Sequence, residues 1–103
     1  MMYIVITYDI EGVDWNNKED ILREEAEYIW NLQKNGILRN IWFTDPERDA
    51  ILLFEEETKE KVQELTRYMP LVKNGLIGCK IMQLKAYNGY ERLFRKETKE
   101  LKQ

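Results

Sequence analysis

Residues 21–44 read ILREEAEYIWNLQKNGILRNIWFT, a helical pattern that halts at Asn35-Gly36 and resumes as a strand. At 100° per residue, Ile21, Leu22, Ala26, Tyr28, Ile29 and Leu32 make one apolar stripe, with Arg23, Glu24, Glu27, Asn31 and Lys34 opposite. Glu25 falls inside the stripe, between Leu22, Ile29 and Leu32. A carboxylate held there has to be paired, hydrogen-bonded or raised in pKa, because a bare buried charge is too costly. The strand over 37–44 carries Arg39 among Ile37, Leu38, Ile41, Trp42 and Phe43. An inward acid and a nearby guanidinium suggest a small polar site within an apolar pocket.

Working outward, residues 2–9 are strand-favouring without clean alternation, which implies that both faces of that strand are covered. Residues 10–16 form a loop in which Trp15 either lies over a pocket or packs on the domain rim. Asn17 is a candidate N-cap, and Glu19 and Asp20 suit the first helical turn. On the other side, Asp45-Pro46-Glu47-Arg48-Asp49 has hairpin length and leads into the continuously apolar 50–54, a central strand. Thr58 can cap a second helix bearing Val62, Leu65 and Met69, which Pro70 ends. Residues 71–75 connect to a fourth strand over 76–87, and 90–101 reads as an amphipathic helix with Tyr90, Leu93, Phe94 and Leu101 on one side.

The order is β-α-β-β-α-β with a C-terminal helix, the ferredoxin-like α+β pattern with a four-stranded antiparallel sheet and both helices on one side. The domain spans 1–88 and the helical extension 89–103. Two helices cover one sheet face, yet three of the four strands are apolar on both. A second copy covers the other face economically, so a homodimer built sheet to sheet is expected. The C-terminal helix either reaches across the partner or supplies part of the cover.

Composition narrows the function classes. A chain of 103 residues with net charge −3 and both signs interleaved is ordinary globular composition, and it lacks the basic stripe of a nucleic-acid binder. No apolar run approaches the ~18 residues of a membrane span, and the start is too short and too soon acidic for a signal peptide. One cysteine, Cys79, allows no internal disulfide, and a cytoplasmic location is expected. Cys79 reads as a small core hydrophobe. With no histidine there is no Ser-His or Cys-His pair and no histidine-ligated haem, and a zinc site would need an unusual set of Asp, Glu and Cys. No cofactor and no metal are expected.

Leu32-Gln33-Lys34-Asn35-Gly36, then Arg39 and Trp42, then Met69-Pro70-Leu71 resemble the muconolactone isomerase family over roughly residues 1–86. The resemblance implies a dimeric α+β barrel, often assembled into larger rings. It also implies a pocket between helices and sheet where a double bond in an unsaturated lactone is shifted by proton transfer. Such chemistry needs a base near the acidic carbon and a donor for the enolate oxygen. Glu25 matches the family's carboxylate, and Arg39 and Trp42 match its Arg and Trp. The pattern departs at Ala26, where the family has a Lys, and at Asn40, where it has a His.

Glu25 is thus a candidate base and Arg39 a candidate catalytic partner that would grip a substrate carboxylate, with Tyr8, Asn40 and Trp42 as candidate substrate-binding residues. The structural alternative ties Glu25 directly to Arg39. Two functions follow: a cofactor-independent proton-transfer isomerase acting on a small unsaturated lactone or carboxylate, or a non-catalytic dimeric ligand-binding or oligomerisation module. A cofactor-free monooxygenase shares the same shape. A pocket holding Glu25 without closure onto an arginine favours the enzyme; a filled interior with the two residues joined favours the module.

Overall fold

The computed structural model describes residues 1–95. Strand β1 (Met2–Asp9) is followed by α1 (Glu19–Lys34), β2 (Leu38–Phe43), β3 (Ala50–Glu55), α2 (Lys59–Arg67), a one-turn α3 (Pro70–Lys73) and β4 (Ile77–Leu84), then a 3-10 turn over Gly89–Phe94. The sheet is antiparallel throughout, in the order β2-β3-β1-β4. This is the ferredoxin-like arrangement expected from the order of elements. No helix among the described residues is long and apolar enough to cross a membrane.

Local chemistry sets most boundaries. Gly36 at φ 77° takes the left-handed conformation that turns the chain out of α1, as the Asn35-Gly36 pair predicts. Thr58 Oγ1 accepts from the Lys61 N–H at 3.2 Å and caps α2. Two expectations are corrected. Asn17 sits at φ 58° rather than at the cap, which falls on Lys18 without a side-chain bond. Pro70 does not end α2, which stops at Arg67; instead it opens α3, where a missing N–H costs nothing. The C-terminal stretch begins as a 3-10 turn with Tyr90, Leu93 and Phe94 exposed, and the remainder of the expected 90–101 helix lies outside the described residues.

One core lies between the sheet and its helices. Tyr3, Val5, Leu38, Leu52 and Phe54 from the strands meet Leu32, Val62 and Met69 from the helical side. Register assigns the other face. Ile4 lies opposite Leu53 and Met82, Ile6 opposite Ile51 and Lys80, and Tyr8 opposite Gly78. Asn40 and Trp42 continue this face into β2 opposite Leu53 and Ile51. No helix covers it within the described residues of one chain, so β1 and β3 are apolar on both faces while only one is filled.

Candidate active site

The core is incomplete on one flank. Between α1, the ends of β1 to β3 and the start of α3 lies a cavity of about 510 Å³, lined by Leu22, Glu25, Ala26 and Ile29 on one side and Thr7, Ile41, Phe43, Ala50 and Leu52 on the other. The walls are mostly apolar. Leu22 and Phe43 remain exposed, so the space opens to solvent. Trp15 borders it at 37 % exposure.

Glu25 stands in this wall as its wheel position requires, half-buried. Its Oε1 accepts from the Leu71 N–H at 2.9 Å. Leu71 is the second residue of α3, whose first-turn N–H groups have no partner within the helix, so the carboxylate takes up an orphan donor. Burial pushes the Glu25 pKa up, and the Leu71 bond pulls it partly back. Among the described residues no cation pairs with it. Its charge reaches two neighbours. Tyr28, whose O–H donates to Leu65 O at 2.6 Å, is raised by burial, Glu25 and Glu64. The Cys79 thiol is pushed up to about 11, chiefly by burial and then by Glu25.

The other sequence-derived candidates sit elsewhere in the chain. Arg39 occupies the bulge between Leu38 and Asn40 and is bound to the Glu55 carboxylate, with both side chains about half exposed. Tyr8, Asn40 and Trp42 lie on the uncovered sheet face, and Asn40 Oδ1 accepts from the Ile41 N–H at 2.8 Å. None of these four residues lines the cavity.

Four polar or charged residues outside that candidate set do: Thr7, Asp9, Glu47 and Arg48. Thr7, only 4 % exposed, accepts from the Ala50 N–H at 2.8 Å and keeps its own O–H available as a donor. Its signal was parity with Tyr3 and Val5 along β1, hidden because both faces of that strand are apolar. Glu47 and Arg48 reach the cavity from the β2–β3 turn, where the sequence signals only a reversal of the chain.

A muconolactone delta-isomerase family model matches residues 1–88. The fold is similar to that of a solved muconolactone isomerase, with TM-score 0.74 and 18 % identity over 86 % of this chain and 93 % of that one. It is also similar to 5-chloro-2-hydroxyhydroquinone dehydrochlorinase from Burkholderia phenoliruptrix AC1100, solved with 2,5-dihydroxybenzoquinone, with TM-score 0.68 and 16 % identity over 84 % and 96 % of the two chains. No curated protein matches by sequence. With the family model covering the entire β-α-β-β-α-β unit, the chain belongs to the muconolactone delta-isomerase family.

Proposed function

We propose that this protein is a cofactor-independent isomerase that moves a double bond in a small unsaturated lactone or related carbonyl compound, with Glu25 as the proton-transfer base. The observation that carries this reading is a carboxylate in the wall of a mostly apolar 510 Å³ cavity, fixed by one backbone N–H and, among the described residues, paired with no cation. A base so placed is desolvated enough to take a weakly acidic C–H proton and is held in one orientation.

The step balances within the substrate. Glu25 removes the proton between the carbonyl and the double bond, electron density moves onto the carbonyl oxygen, and Glu25 returns the proton at the far end of the dienolate. Thr7 is the proposed hydrogen-bond donor to the enolate oxygen, since its O–H is buried in the opposite wall. The family's substrate and the quinone bound by the related dehydrochlorinase support a small oxygenated ring as the ligand.

The uncovered sheet face, with Arg39, Tyr8, Asn40 and Trp42 on or beside it, is the proposed subunit contact of a homodimer. It is apolar through Ile4, Ile6, Ile51, Leu53 and Trp42, as a face that meets a second sheet would be.

The test is α-angelica lactone, whose double bond is out of conjugation, followed by NMR in deuterated buffer. Wild type is expected to form the conjugated isomer, with deuterium at the γ carbon to the extent that the proton on Glu25 exchanges with solvent before it is returned, and Glu25→Gln to lose about 10²- to 10⁴-fold in rate. Equal rates in the two proteins would remove Glu25 from the chemistry.

A further inference from the structure

Two side chains one turn apart on α1 reach the same break in the helical layer. Glu25 and Tyr28 are an i, i+3 pair on one face of that helix. Glu25 Oε1 accepts from the Leu71 N–H at 2.9 Å, at the start of α3. The Tyr28 O–H donates to Leu65 O at 2.6 Å, near the end of α2. Carbonyls in the last turn of a helix have no N–H partner within it. The Met69 N–H, which would continue the ladder to Leu65, goes to Thr66 O at 3.1 Å and leaves Leu65 O to the phenol. An acceptor on α1 therefore meets a free donor that opens α3, and a donor on α1 meets a free carbonyl that closes α2.

Between these two bonds the chain leaves the helix at Met69, extended at ψ 128°, and re-enters it at Pro70. Met69 is 1 % exposed, and Met69 and Leu71 both line the cavity. This elbow is thus a piece of cavity wall tied to α1 at each end. Packing of α1 is chiefly on α3 and β2. Among the described residues the Tyr28 bond is the one hydrogen bond between α1 and α2. Tyr28 itself does not line the cavity.

We infer that Tyr28 is a positioning residue for Glu25: by tying α2 to α1 it holds the Met69–Pro70 elbow so that the Leu71 N–H stays aimed at the carboxylate. The catalytic consequence rests on the isomerase reading, while the geometry does not. Without the phenol O–H the elbow is held at one end only, and Glu25 loses part of the contact that fixes its orientation and favours its charged form. The other charged or titratable groups that face this pair are Asp9, Glu47 and Arg48 around the cavity, Glu64 on α2 and Cys79 on β4. Tyr28→Phe alters the charge of none of them.

The experiment follows the Leu71 amide by NMR from about pH 4 to pH 9 in wild type, Tyr28→Phe, Glu25→Gln and Val62→Ala. In wild type the amide proton shift is expected to track the ionisation of Glu25, and in Glu25→Gln that titration should vanish. In Tyr28→Phe its amplitude should fall at least about 2-fold, its midpoint should move to higher pH, and the amide should exchange with solvent about 10-fold faster. Val62, fully buried in α2 and outside the cavity lining, supplies the control. Val62→Ala loosens the core by a void and should leave amplitude and midpoint as in wild type. With α-angelica lactone, Tyr28→Phe should lower kcat about 10-fold while KM changes less than about 2-fold. The inference is overturned if Leu71 does not titrate in wild type, if its titration survives Glu25→Gln, if Tyr28→Phe leaves it unchanged, or if Val62→Ala moves it as far. Where wild type turns the lactone over, an unchanged kcat in Tyr28→Phe overturns it too. The NMR arm needs no turnover, so the two readings fail separately. A Leu71 titration weakened by Tyr28→Phe beside an inert lactone sinks only the base; Glu25-dependent turnover with a Leu71 titration indifferent to Tyr28 sinks only the positioning role.

Discussion

The Leu71 N–H reaches Glu25 Oε1 at 2.9 Å across 46 positions of sequence, joining α1 to the first turn of α3 at the edge of the cavity. The bond favours the charged carboxylate, while the apolar surroundings favour the neutral acid and dominate. Glu25 therefore holds its proton in the folded protein at pH values where the unfolded chain has released it.

That imbalance fixes the sign of a stability effect. Where the folded state binds more protons, stability falls as pH rises, beginning near the ordinary carboxyl value of 4.5 and continuing up through the raised folded value. Glu25→Gln, which keeps an acceptor for the Leu71 N–H, should melt above wild type at pH 8, with the gap closing toward pH 4. Thermal melts followed by circular dichroism at matched ionic strength test this. A variant less stable than wild type at pH 8 would mean that the charged carboxylate is favoured by the fold.

Cys79 should be a slow nucleophile. With its thiol pushed up to about 11 from an ordinary 9.0, the thiolate fraction at pH 8 is about one in a thousand. Iodoacetamide should alkylate the native protein about 100-fold more slowly than the urea-unfolded chain, since the ordinary thiol is about one-tenth ionised at that pH. Because Glu25 contributes to the shift after burial, Glu25→Gln should react somewhat faster than wild type in the native state. Native and unfolded rates that match would show the thiol to be ordinary.

Gly78 gives a handle on the uncovered face. It pairs with Tyr8 across β1 and β4, and a Cβ at that position would fall 2.4 Å from Tyr8 Cζ. Tyr8 is 50 % exposed, so in Gly78→Ala the ring can swing out into solvent. The chain should still fold, with a net stability change within about 1 kcal/mol because alanine suits a strand better than glycine. The displaced ring then stands proud of the proposed dimer face, and sedimentation should show self-association weakened at least about 10-fold. Unchanged association would place the subunit contact elsewhere.

How much of this was legible in the sequence differs from element to element. The stop at Gly36, the cap at Thr58, the hairpin and the inward Glu25 follow from local rules: a left-handed glycine, a hydroxyl near a free N–H, a 3.6-residue period. Parity along the strands was not legible. Met2 to Ile6 and Ile51 to Phe54 are apolar at consecutive positions, so alternation carries no signal about which side faces the helices. Thr7 occupies the cavity while its neighbour Tyr8 turns to the uncovered face, which Asn40 and Trp42 share.

The sequence by itself determined the order of elements, the antiparallel pairing of β2 with β3, the family and the inward turn of one acid, because each rests on residues within a few positions of one another or on motif spacing. Only the tertiary structure decided that Glu25 meets Leu71 rather than Arg39, that Arg39 is bound to Glu55, and that Arg48 from a surface turn borders the same space as Glu25. Those neighbours are set by sheet register and by how α1 and α3 settle on the sheet, which depend on packing between segments far apart in the chain.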